Sequence, residues 1–142
     1  MLKIEHLCKS YGDKKAVNDL SFKVKKGEFF AFLGVNGAGK STTINIICGQ
    51  LSKDSGTVEI CGRDSERDSD FIKRGIGVVF QNSVLDKELS VRDNLESRAA
   101  LYGIRGEEFK KRLARLSALL DFEELLRRPV GKLSGGQRRR ID

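Results

Sequence analysis

The run Gly34-Val-Asn-Gly-Ala-Gly39-Lys40-Ser41-Thr42 fits the pattern GxxxxGK[ST] and is the strongest chemical signal in the chain. Its glycines let the backbone curl so that successive N–H groups, with the positive end of a following helix, face the oxygens of a polyphosphate. Lys40 adds a full charge near the β and γ phosphates. Ser41 offers a hydroxyl to Mg²⁺, a hard cation that takes oxygen ligands and keeps several of its waters. A second pattern, Leu133-Ser-Gly-Gly-Gln137, precedes an apparent helix start. Ser134 is a good N-cap, and Gly135 and Gly136 leave the first turn bare, so that hydroxyl and N–H groups are placed to accept a second anion. Arg138, Arg139 and Arg140 follow at once. Positive charge near a helix N-terminus opposes the macrodipole unless an anion compensates, so these three read either as solvated surface arginines or as part of an anion site.

The elements that must position these residues follow from hydrophobic period. An apolar pattern from Leu2 to Tyr11 and another from Ala16 to Val24 predict two early strands. Glu28 to Leu33 is nearly continuous and apolar, which predicts a strand buried on both faces of a parallel sheet, ending in the glycine-rich run. A helix is expected over Lys40 to Cys48, a short strand over Gly56 to Ile60, and a further buried strand over Gly75 to Phe80. Past Asn82 the period becomes helical: Val91, Leu95, Ala99 and Tyr102 share one face, and Phe109, Leu113, Leu116 and Leu120 share another. Ser90 with Asp93 resembles a capping box, and Gly103 is placed to end that helix.

Composition narrows the classes. The chain has 142 residues, 39% hydrophobic and 33% charged, enough for one packed domain and unlike a disordered or collagen-like chain. No apolar run approaches the roughly 20 residues of a membrane-spanning helix, and no secretory signal is visible. Cys8, Cys48 and Cys61 form no CxxC pair, so neither a disulfide framework nor a zinc site is indicated, and a reducing cytoplasm is expected. The net charge of +7 invites a nucleic-acid reading, yet six basic residues and no acid lie between Arg127 and Arg140, so the excess is local.

A GxxxxGK[ST] loop followed by LSGGQ resembles the ATP-binding cassette of ABC transporters, over the whole chain. The resemblance implies an α/β P-loop core, with antiparallel strands plus the start of a parallel sheet, at residues 1–81. It further implies a helical subdomain at 82–133 and the start of a signature helix at 134–142. It implies ATP and Mg²⁺ as cofactors. Nucleotide would be held by Tyr11, as the aromatic that stacks on adenine, by Val17, and by the loop residues Gly34, Asn36, Gly37, Ala38, Gly39, Lys40, Ser41 and Thr42. Ser134, Gly135, Gly136 and Gln137 would cover the ATP on a second copy in a head-to-tail dimer. Gln81 resembles the glutamine that ligates Mg²⁺ with Ser41 and senses the γ-phosphate, which with Lys40 gives the catalytic pair. The segments Asn82 to Ser90, Val91 to Leu95 and Leu101 to Gly103 look most like single-cassette exporters of the drug and antibiotic efflux type. This implies a separate transmembrane permease subunit, a location on the inner face of the cell membrane, and no nucleic acid. The rival readings are a soluble ABC-type ATPase acting on nucleic acid or ribosomes, and a nucleotide-binding fragment with no catalysis of its own.

The family's hydrolytic residues, an apolar strand ending in Asp-Glu after the signature and a later histidine, have no counterpart. Ala118-Leu-Leu-Asp121 imitates that strand but precedes LSGGQ and continues a helical period, and the sole histidine is His6. The expectation is an N-terminal piece of a longer cassette, with the C-terminal part absent and no ATP turnover by the piece alone.

Overall fold

A computed structural model describes residues 1–80 and 82–142 of the chain, which divide into two compact units, Met1–Val78 and Val79–Asp142. In the first, β1 (Leu2–Tyr11) and β2 (Lys14–Val24) form an antiparallel hairpin. β3 (Ser55–Ile60) pairs with the other edge of β1, and β4 (Arg63–Asp64) completes the order β2-β1-β3-β4. Ile4 and Leu7 are both buried although three positions apart, which strict alternation forbids. The register shifts between them, and His6 there takes a left-handed φ of 51°, so Leu7 is turned back to the inner face. Ile4, Leu7, Val17 and Val58 then pack with Ile46 of α1 (Lys40–Ile47). A short helix, α2 (Ser69–Gly75), follows β4; the sequence reading did not anticipate it.

The α/β class holds, with antiparallel strands and a helical second unit, but two expected strands do not form. Among the described residues neither 28–33 nor 75–80 joins a ladder, and Gly75 instead closes α2. Phe29 and Leu33 are 96% and 85% exposed, while Phe30 and Phe32 stack with Phe22 of β2. A continuous apolar run reports side chains suited to burial; it does not name the strand that would cover them.

The second unit holds α3 (Val91–Leu101), α4 (Gly106–Leu119) and α5 (Gly135–Ile141), with 3₁₀ turns at Glu123–Leu125 and Val130–Lys132. Its core gathers Val91, Phe109, Leu113, Phe122, Leu125, Val130 and Ile141. Ser90 caps α3 by accepting the Asp93 N–H at 3.1 Å. Its hydroxyl donates to the Asp93 carboxylate at 2.6 Å, where a capping box would have that carboxylate reach back to the Ser90 N–H. On α4 the buried face runs through Phe109, Leu113 and Ser117 rather than toward Leu116 and Leu120, which are exposed. Repeated steps of four residues carry this stripe slowly around the helix, and the Ser117 hydroxyl is accommodated by donating to the Ala114 carbonyl.

Candidate functional site

The glycine-rich loop is seated by close contact. Gly39 is the N-cap of α1 with φ 79°, and a Cβ built on it would stand 2.2 Å from the Ala16 carbonyl oxygen and 3.2 Å from Val17 Cγ2. Only a residue without a side chain fits both the backbone angle and the gap. Inside the helix, buried Thr43 donates its N–H and its hydroxyl to the Gly39 carbonyl, each at 2.9 Å. That carbonyl is thereby fixed into the helix, whose first N–H groups have no intrahelical acceptor. The Ala38 N–H closes a turn onto the Val35 carbonyl at 3.2 Å. Lys40 Nζ donates to the carbonyls of Gly34 at 2.5 Å and Val35 at 2.7 Å, so the ammonium is held over the loop with its third N–H to spare.

An open pocket of about 310 Å³ lies beside the loop. Asn36, Gly37, Gly39, Lys40, Ser41 and Thr42 line it from the loop side, and Tyr11, Lys14 and Ala16 from the β1–β2 hairpin. No acidic side chain is among the lining residues, and two lysines are. Tyr11 is half exposed at the end of β1, and that end is pinned by Asp54. The Asp54 carboxylate accepts the Ser10 N–H at 2.6 Å and the Lys9 ammonium at 2.7 Å, and the Asp54 N–H donates to the Cys8 carbonyl. The Lys9 ammonium, and after it the Ser10 N–H, hold the Asp54 carboxyl below the usual aspartate range. Val17 does not line this pocket but the adjoining one, with Gly37, Ala38 and Lys40, and its methyl packs against Gly39.

In the second unit, Ser134 caps α5 in a full capping box: its hydroxyl accepts the Gln137 N–H at 3.2 Å and the Gln137 side chain accepts the Ser134 N–H at 3.0 Å. Gly135 and Gly136 are exposed. The three arginines resolve toward structure. Arg138 donates to the Leu133 carbonyl, Arg139 to that of Phe80, and Arg140 to the carbonyl and carboxylate of Asp121. They occupy the last turn of a short helix, where positive charge suits the macrodipole, so no anion is needed to offset them. Asp121 sits past the end of α4 with a left-handed φ of 54°, outside any strand. Gln81 lies outside the described residues.

The donor set on the first unit suits a polyphosphate with a hard cation: N–H groups at a helix start, an ammonium, an exposed serine hydroxyl and an aromatic face, with no competing carboxylate. Sequence reasoning missed three contributors. Thr43 and Asp54 act on backbone groups and leave no spacing signal. Lys14 was legible, because a two-residue turn after Tyr11 makes it the cross-strand partner.

Comparison with known proteins agrees with this geometry. The family model described as ABC transporter matches residues 17–142. The chain is 36% identical over 141 residues to the Nod factor export ATP-binding protein I of Ralstonia nicotianae, covering 99% of this chain and 44% of that protein. It is 39% identical over 142 residues to the linearmycin resistance ATP-binding protein of Bacillus subtilis, covering 100% of this chain and 46% of that protein. A solved dimeric structure of a bacterial ABC transporter cassette superposes with a TM-score of 0.82 at 30% identity, over 99% of this chain and 66% of the other. The chain thus spans about half the length of the relatives it matches.

Proposed function

The chain belongs to the ABC transporter family, and we propose on that footing that it is the ATP-binding part of a cassette whose ATP hydrolysis is coupled to export through a separate transmembrane permease. The observation that carries this reading is the pocket at the glycine-rich loop, where Lys40, Ser41 and the start of α1 meet Tyr11 with no acidic side chain between them. Mg-ATP supplies the phosphoanhydride bond whose cleavage drives transport. This chain's residues bind and orient it. Tyr11 offers a ring face for the adenine, while Gly34, Asn36, Gly37, Ala38 and Gly39 present backbone to the phosphates. Lys40 contributes charge, Ser41 and Gln81 are the oxygen ligands for Mg²⁺, and Thr42 lines the same wall.

In the same reading residues 1–81 are the nucleotide-binding core, 82–133 a helical subdomain and 134–142 the start of the signature helix. Ser134 to Gln137 would cover ATP held by a second copy, in a head-to-tail pair. The dimeric cassette among the similar structures and the export and resistance proteins among the relatives support that arrangement by likeness. No helix among the described residues is long and apolar enough to cross a membrane, and the proposed place is the cytoplasmic face, held there by the permease.

The test is titration calorimetry with Mg-ATP. Lys40→Ala removes the charge but not the loop, and should weaken binding about ten- to a hundredfold. Equal affinity in the two proteins would remove Lys40 from the site.

A further inference from the structure

We propose that Lys14 is a second phosphate-binding lysine of the nucleotide pocket, meeting the α-phosphate, so that the β1–β2 hairpin reads both the base and the charge nearest it. This rests on the proposed function, since it assumes that nucleotide occupies the glycine-rich loop.

Tyr11 and Lys14 are Cα partners at the end of the β1–β2 ladder. They are joined by the two-residue turn Gly12-Asp13. Gly12 has φ 56° and Asp13 is not among the residues of positive φ, the pattern of a tight hairpin turn with glycine first. Directly opposed residues of an antiparallel pair project from the same face of the sheet. The turn therefore sets the Lys14 stem beside the Tyr11 ring, and both line the pocket that the loop closes from the other side. Both are exposed, so neither is held in the core.

The ordering within the pocket identifies the group that Lys14 meets. Tyr11 offers the ring face, and Lys40 stands at the head of α1 over the loop carbonyls. A nucleotide with its base on Tyr11 and its terminal phosphates at Lys40 passes the hairpin with its ribose and α-phosphate. A lysine is a compact, strongly hydrated cation with donors only, so the anionic α-phosphate is its match there. With no acidic side chain lining the pocket, nothing in it competes for that charge.

The experiment is calorimetric titration of the chain with Mg-ATP and with ADP, for the unsubstituted protein, Lys14→Gln, Lys14→Arg and Lys40→Ala, with thermal melting in the absence of nucleotide. Lys14→Gln should weaken both nucleotides equally, by about two- to fivefold as for an exposed charge pair, with a shallower salt dependence. Lys14→Arg should restore binding, and the melting temperature without nucleotide should not move. If Lys40→Ala weakens binding and Lys14→Gln does not, this inference falls alone. It also falls if ADP is spared, or if Lys14→Arg loses as much as Lys14→Gln. If the unsubstituted chain binds neither nucleotide, the proposed function falls and takes this inference with it.

Discussion

Gly39 approaches Ala16 so closely that a single added methyl would stand 2.2 Å from the Ala16 carbonyl oxygen. That contact seats the loop on β2, and the obstacle is backbone, which cannot swing aside. Gly39→Ala therefore meets both a left-handed φ and an overlap, and should cost about 2–4 kcal/mol of stability. Denaturant melts check the stability. Gly37→Ala, at a left-handed φ but with nothing within 4 Å of the added carbon, should cost less.

Asp54 ties the strand end that carries Tyr11, and its carboxyl is held below the usual aspartate range by Lys9 and the Ser10 N–H. A carboxylate whose folded pKa is lowered adds stability that is present above the ordinary value, about 3.9, and is lost as pH falls through the lower folded value. Asp54→Asn should melt below the parent at pH 7, and the gap should close as pH drops under about 4. A gap that stays constant across that range would mean that the Asp54 charge is not what holds Ser10 and Lys9.

Ser134 and Gln137 satisfy each other's backbone N–H groups at the start of α5. Ser134→Ala should cost about 1 kcal/mol, read from urea melts of the chain. Ser134→Gly should cost only a few tenths, because glycine tolerates the cap position.

Phosphate release should not exceed buffer background for these 142 residues with Mg-ATP. Lys40 supplies charge and Gln81 an amide, and neither takes a proton from water, while a base is required. Release that Lys40→Ala abolishes would show that a residue within the chain acts as that base.

The sequence made the site's chemistry legible where chemistry requires particular residue types at fixed spacing: Lys40 and Ser41 after the glycines, and Ser134 with Gln137. Hairpin strands and helix starts were legible because their signals are local, as with the strand ending at Tyr11 and the Ser90 cap. What failed was pairing at a distance. The run at 28–33 is as apolar as a buried parallel strand, yet such a strand is defined by neighbours that its own residues do not specify. The arginines after the signature were left open between a solvated surface and an anion site. Composition near a helix start does not choose between them; the structure shows a helix of seven residues whose arginine side chains donate to the carbonyls of Leu133, Phe80 and Asp121, acceptors that spacing does not reveal.

The most direct test of the central claim is a ¹H–¹⁵N correlation spectrum of the chain titrated with Mg-ATP. The amides of Gly37, Gly39, Lys40 and Ser41 should shift together and saturably, with the Tyr11 ring protons following in a ¹H–¹³C aromatic spectrum of the same titration, and Lys40→Ala should weaken the response. Shifts absent at millimolar ATP, or confined to residues away from the loop and Tyr11, would contradict nucleotide binding at this site.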